Sequence, residues 1–193
     1  YFGMPRLAST SPNLTDVAPE DGVPVSVIIP ARNESGQIET VVRSVLASSY
    51  QPLEVLVVDD RSTDDTAARV EAMARDDGRL RLVLGEPLPS GWYGKPWACR
   101  QGARAATGQI LVFTDADCLP DPGWLAAFAA AAEEMPGTLL AGPVRMAAPT
   151  KPNAFALYDL VRGIPQARYV ARGYAATANL AVPAAVFAAL GGF

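Results

Sequence analysis

Four short runs of β-branched and apolar residues recur along the chain, at 25–29, 55–58, 80–84 and 110–113. Each is followed by a polar turn and a stretch with helical spacing. Runs this apolar suit strands buried on both faces, which is the condition of a parallel sheet. Residues 37–47 carry apolar side chains at 38, 41, 42, 45 and 46, one face of a helix. Ser62-Thr63-Asp64-Asp65 offers N-cap oxygens to a helix reaching about Arg75. Residues 95–106 read as a third helix, halted by Thr107-Gly108. Residues 122–134 read as an Ala-rich fourth, with Asp121-Pro122 supplying its N-cap and first position. Pro30 is expected to end the first strand. Strands alternating with helices imply an α/β fold: a mostly parallel sheet flanked by helices and joined by right-handed crossovers.

The pattern weakens at both ends. Residues 1–22 are rich in Pro, Ser, Thr, Asp and Gly without periodicity and read as a linker, which leaves 23–193 as one domain. After Thr138 the expectations are a strand at 139–146 and a partly helical stretch at 153–170, interrupted at Gly163 and Pro165. A strand at 177–182 and a short helix at 183–190 with Pro183 in its first turn follow.

Composition excludes several kinds of chemistry. Of 193 residues, none is histidine, which removes Ser-His triads and His-ligated metals and leaves oxygen as the main metal ligand. The two cysteines, Cys99 and Cys118, make neither a disulfide framework nor a four-ligand zinc site, and are expected to be reduced packing residues. The net charge of −4 disfavours nucleic acid as a partner of the whole surface. No apolar run is long enough to span a bilayer.

In open α/β sheets, ligands bind at the carboxyl ends of the strands. Three polar clusters fall there: Arg32-Asn33-Glu34, Asp59-Asp60 and Asp115-Ala116-Asp117. Residues i and i+2 of an extended segment point the same way, so Asp115 and Asp117 can face one ligand. Two adjacent carboxylates repel unless a cation joins them, and hard divalent cations take carboxylates together with substrate phosphates. The alternative is that both merely cap the next helix, but Asp121-Pro122 already fills that role. Asp60 is assigned to ligand contact, and Ser62, Thr63 and Asp64 to capping. Gly94-Lys95 opens a helix, where a cation and the helix N-terminus both favour phosphate. The full phosphate-loop pattern is absent, with Pro96 and Pro89 at two of its positions, and a solvated lysine is the alternative. Trp92, Tyr93 and Trp97 either stack on a ligand or close the core.

Taken together, Pro30-Ala31-Arg32-Asn33-Glu34, Val57-Val58-Asp59-Asp60-Arg61-Ser62-Thr63-Asp64-Asp65-Thr66, Gly94-Lys95 and Phe113-Thr114-Asp115-Ala116-Asp117 closely resemble family 2 glycosyltransferases of the GT-A fold in residues, order and spacing. The resemblance covers about residues 23–193 and implies a Rossmann-like GT-A sheet. It also implies inverting transfer of a sugar from a nucleotide-sugar donor, a UDP-sugar ahead of a GDP-sugar, to an acceptor hydroxyl. By the same resemblance Pro30, Arg32 and Glu34 line the nucleotide pocket and Asp60 contacts the base. Asp115 meets the ribose or the metal, Asp117 binds Mg2+ or Mn2+, and Lys95 assists at the diphosphate. Thr177-Ala178-Asn179-Leu180-Ala181 and Leu190-Gly191-Gly192-Phe193 resemble the acceptor-side strand and its turn. The family's catalytic base follows that turn, so no catalytic residue is assigned within the chain. The expectation is a piece of a longer protein that binds donor and metal without transferring sugar. Gly91-Trp92-Tyr93-Gly94-Lys95-Pro96-Trp97-Ala98 is similar to a subgroup linked to hopanoid and carotenoid glycosylation. That similarity implies a lipid-like acceptor and a parent protein on the cytoplasmic side of a membrane. Membrane contact is then made only through segments outside this soluble piece.

Three other readings compete. A non-catalytic nucleotide-sugar-binding module would share the whole site. A haloacid-dehalogenase-like phosphatase also sets Asp-x-Asp after a buried strand, but there the strand is the first, and a downstream lysine and further acidic pair are needed. A nucleotidyltransferase would need a Gly-rich loop near the first strand, which the chain lacks.

Overall fold

The computed structural model describes residues 22–146 and 163–193. Its elements run β1 (Val25–Ala31), α1 (Ile38–Leu46), β2 (Leu53–Asp59), α2 (Thr66–Asp76), β3 (Leu80–Leu84), α3 (Gly94–Ala105), β4 (Ile110–Thr114), α4 (Trp124–Glu134), β5 (Leu140–Ala141), α5 (Gln166–Val170), β6 (Asn179–Pro183) and α6 (Ala184–Ala189). The sheet order is β3-β2-β1-β4-β6-β5. The first four strands are mutually parallel, and β6 runs antiparallel to both β4 and β5. The expected mostly parallel sheet is present.

Alternate residues of each strand feed two cores. Val25, Val27, Ile29, Val55 and Val57 meet the apolar faces of α1, α2 and α4 on one side. Ile28, Leu56, Val58, Leu111 and Phe113 meet Ala98 and Cys99 of α3, with α6 alongside, on the other. Each Val, Leu or Ile so buried contributes roughly 1.5–3 kcal/mol. Gly102 lets α3 lie close to the sheet, since a Cβ there would sit 2.5 Å from Ile28 Cγ2 and 2.9 Å from Val58 Cγ2.

Several local expectations are corrected. Pro30 does not end β1, which continues to Ala31. Past Ile28 the strand pairs with β2 alone, so one of its edges carries no ladder and a residue without an N–H is accommodated. Asp121 does not cap α4: the helix starts at Trp124 with Gly123 in the cap position and no side-chain cap bond. The Trp124 N–H instead closes a turn on the Asp121 carbonyl. Ser62 and Thr63 do not cap α2 either. Only the Asp64 carboxylate serves its first turn, accepting from Thr66 N at 3.0 Å and Thr66 Oγ1 at 2.5 Å. The expected strand at 139–146 shrinks to Leu140–Ala141 and an isolated bridge between Val144 and Ile164. The Gly142 N–H still donates to the Asn179 carbonyl at 3.0 Å, and Pro143, which has no N–H, follows. The linker at 1–22, apart from Gly22, and most of the partly helical stretch at 153–170 lie outside the described residues.

Candidate functional site

β1 is the point where the chain order reverses, with β2 on one side and β4 on the other. Loops leaving their carboxyl ends diverge there and open a crevice. Two of these loops are built alike. The second residue past each strand, Asn33 after β1 and Arg61 after β2, takes φ of 57°. That left-handed conformation is tolerated by Asn and uncommon for Arg. The loops are then stitched together. Asn33 N donates to Ser62 Oγ at 2.9 Å, Glu34 N to Thr66 Oγ1 at 2.8 Å, and Thr63 N to Asn33 Oδ1 at 2.8 Å. Ser62, Thr63 and Asn33 therefore hold the frame that presents Arg32, Glu34 and Asp60.

Asp60 is buried and fixed from several directions. Its N–H donates to the Ala31 carbonyl at 2.8 Å. Its Oδ1 accepts from Arg61 Nε at 2.9 Å and Arg61 Nη2 at 2.7 Å, and Arg32 Nη1 lies 3.9 Å from Oδ2. Gly94, the first residue of α3, packs directly on Asp60 Oδ2, which would stand 2.7 Å from any Cβ at that position. The next residue, Lys95, reaches across to β4, and its Nζ donates to Asp115 Oδ1 at 2.6 Å.

Beyond β4, the Cys118 N–H closes a turn on the Asp115 carbonyl. Ligand atoms of Asp115, Asp117 and Cys118 come within 4.8 Å of one another. The acidic field is felt around them. Glu34 is raised above the ordinary glutamate range by burial, then by Asp117, Asp64 and Asp115. The Cys118 thiol is pushed up to about 11 by burial, then by Asp117 and Asp115. Two carboxylates concentrating negative charge that one lysine offsets in part suit a hard divalent cation. Cys118 adds a softer donor that the sequence reading took for packing. Cys99 is buried and free, as expected, with burial pushing its thiol up to about 12.

The result is a cleft of about 340 Å³, lined by Pro30, Arg32, Glu34, Asp60, Lys95, Asp115 and Asp117. All seven sequence-assigned site residues meet there, in a volume suited to a small ligand. Ala31, Gly94, Ala98 and Ala116 complete the walls. The signal for these was their small size within the motifs, which leaves room where a larger side chain would fill the floor. Asp59 is buried away from the cleft, and its Oδ2 accepts from Ser62 N at 3.1 Å. The three aromatics do not line the cleft either. Trp97 is core, with its indole N–H on the Glu86 carbonyl. Trp92 packs edge-on against it at 5.2 Å, and Tyr93 is 81% exposed.

Comparison with known proteins identifies the family and the fold. The sequence profile of glycosyl transferase family 2 matches residues 26–179. A 4,4'-diaponeurosporenoate glycosyltransferase of Staphylococcus aureus is 37% identical over 93 residues, which is 48% of this chain and 24% of that protein. The chain thus matches about a quarter of the length of its curated relatives. Among solved structures, a mannosyltransferase from Pyrobaculum calidifontis in complex with GDP-Man and Mn2+ superposes with a TM-score of 0.65 at 31% identity. That match covers 92% of this chain and 50% of the other. Glucosyl-3-phosphoglycerate synthase from Mycobacterium tuberculosis in complex with UDP gives a TM-score of 0.57 at 26% identity, covering 85% and 58%. The sheet is the GT-A sheet of these enzymes, and the chain belongs to glycosyl transferase family 2.

Proposed function

We propose that these residues form the donor-binding part of a glycosyltransferase that passes a sugar from a UDP-sugar to an acceptor hydroxyl with inversion. The observation that carries this is the convergence of Asp60 after β2, Lys95 at the start of α3, and Asp115 and Asp117 after β4 on one cleft. Asp60, buried and oriented by Arg61, accepts hydrogen bonds from the base, with Arg32 and Glu34 closing over it. Lys95 and the N–H groups opening α3 draw the diphosphate, since both present positive charge at that point. Asp115 and Asp117 hold Mg2+ or Mn2+, with Asp115 also within reach of the ribose. When bound, the metal supplies neutralisation of the charge that develops on the departing diphosphate. Lys95 supplements it from beside Asp115.

A lipid-like acceptor is the reading favoured by the likeness to the diaponeurosporenoate glycosyltransferase. It goes with a parent protein working at the cytoplasmic face of a membrane. Among the described residues no helix is long and apolar enough to cross a bilayer. Family membership leaves the phosphatase and nucleotidyltransferase readings without support.

Calorimetric titration of UDP and of GDP, each with and without Mn2+, tests the donor assignment. Metal-dependent binding of UDP in preference to GDP is expected. Preference for GDP would reassign the donor, and a folded protein that binds neither would contradict the site.

A further inference from the structure

The net charge of −4 conceals a division along the chain. Residues 1–134 carry 19 acidic and 11 basic side chains, a balance of −8, whereas residues 135–193 carry 1 acidic and 5 basic, a balance of +4. The ion pairs among the described residues all fall between residues 32 and 115, within the acidic part. Arg168 and Arg172 stand outside them, and both are exposed, one in α5 and one in the turn that follows. The same lobe leaves Val170 45% and Tyr174 51% exposed, with Tyr174 stacked on Tyr169 at 4.9 Å between ring centroids. Arg168, Val170, Arg172 and Tyr174 are thus all open to solvent within seven residues of chain.

The fold fixes where this lobe sits. β6 begins at Asn179, which pairs with Thr114, the residue before Asp115. The chain therefore enters β6 from the sheet edge that carries the cleft. Thr114 Oγ1 donates to the Ala178 carbonyl at 3.1 Å. Gln166, which is buried, clips the lobe shut. Its Nε2 donates to the carbonyls of Ala176 and Asn179 at 3.0 and 3.3 Å, and its Oε1 accepts from Ala176 N at 2.9 Å. A segment whose base is fastened this way holds its outer residues in a fixed place beside the cleft.

We propose that this lobe docks the protein on an anionic lipid surface. Arg168 and Arg172 meet headgroup phosphates, and Val170 and Tyr174 enter the boundary between headgroups and acyl chains. Its purpose, bringing the cleft to an acceptor held in the bilayer, rests on the lipid-like acceptor proposed above. Membrane contact then lies partly within this chain, rather than only in segments outside it. Tyrosine with an apolar body and polar tip suits that boundary, and arginine near an anionic leaflet is drawn to it. The acidic remainder does not cancel this attraction, because charge farther from the surface than about 8 Å is largely screened at physiological salt. A nucleic acid offers the same phosphates but no apolar layer to receive Val170.

Co-sedimentation with vesicles of phosphatidylcholine, and of phosphatidylcholine with a third replaced by phosphatidylglycerol, tests the proposal on the 193-residue chain. Binding to the anionic vesicles alone is expected, weakening with salt. Arg168→Gln and Arg172→Gln should each lower it roughly fivefold, and the pair roughly 25-fold. Val170→Ser should lower it further. UDP titration of the same variants should match the parent chain, which excludes misfolding as the cause. Equal binding to both vesicles, no binding, an unaffected double variant, or stronger binding to an RNA homopolymer than to vesicles would each overturn it. Vesicle binding that persists in a chain with no affinity for UDP would refute the donor site and leave the docking surface standing.

Discussion

Lys95 and Asp115 show how much of the site is set by single contacts. At 2.6 Å, the ammonium group neutralises the carboxylate that is proposed to help hold the metal. On the proposed reading, lysine and cation would compete for Asp115 until a diphosphate drew the lysine away. Lys95→Met is expected to weaken UDP binding about tenfold, the scale of a charge-assisted hydrogen bond in a partly solvated site. It should also tighten Mn2+ binding in the absence of nucleotide. Paired titrations of each ligand alone check both signs, and a variant that binds Mn2+ more weakly than the parent would contradict the competition. Residue types were the most legible part of this site. Asp60, Lys95, Asp115 and Asp117 stand out by identity and spacing as candidates for base, diphosphate and metal contact, and the fold brings them to one cleft. Contacts that exist only after folding were not legible, among them Gly94 pressed on Asp60, Arg61 gripping the same carboxylate, and Cys118 beside Asp117.

Strands and helices hold these residues at the cleft, and Glu54 ties three of the elements together at the opposite edge of the sheet. Its Oε1 accepts from Ser26 Oγ of β1 at 2.5 Å and from Thr107 N and Oγ1 before β4 at 2.5 and 2.8 Å. Its Oε2 meets Arg81 of β3 at 3.3 Å. Burial alone would raise this carboxyl, but the hydrogen bonds from Ser26 and Thr107, with Arg81, outweigh it and hold the group below its ordinary value of 4.5. A depressed folded-state value means stabilisation that is full above 4.5 and lost as pH falls through the lower folded value. Glu54→Gln is expected to cost about 1–2 kcal/mol at neutral pH. Urea denaturation across pH should find that difference shrinking in acid, and a difference that grows in acid would contradict the assignment. The parallel strands were legible because burial on both faces leaves continuous β-branched runs. Element ends were not. Pro30 reads as a terminator until one edge of β1 is known to be free. Asp121-Pro122 reads as a cap until the turn through Gly123 is seen. The strand expected at 139–146 lasts two residues because pairing stops after the Gly142 N–H bond to Asn179, where Pro143 has no N–H to offer, which apolar content alone does not reveal.

Across the whole molecule, the reversal of strand order at β1 gathers the polar ends of β1, β2 and β4 with the start of α3 into one crevice. Fold and site are thus consequences of the same topology. The charge division sets an acidic body holding the cleft against a basic lobe at the cleft edge, which the overall charge of −4 hides. The central claim is that Asp117 holds a divalent cation together with a nucleotide in this crevice. Electron paramagnetic resonance of Mn2+ tests it most directly, by comparing the free-ion signal with and without protein in the presence of UDP. The parent chain is expected to remove about one Mn2+ per molecule beyond what UDP alone removes, and Asp117→Ala, shown to be folded, is expected to remove almost none. Equal removal by both proteins would place the metal elsewhere and contradict the assignment of the site.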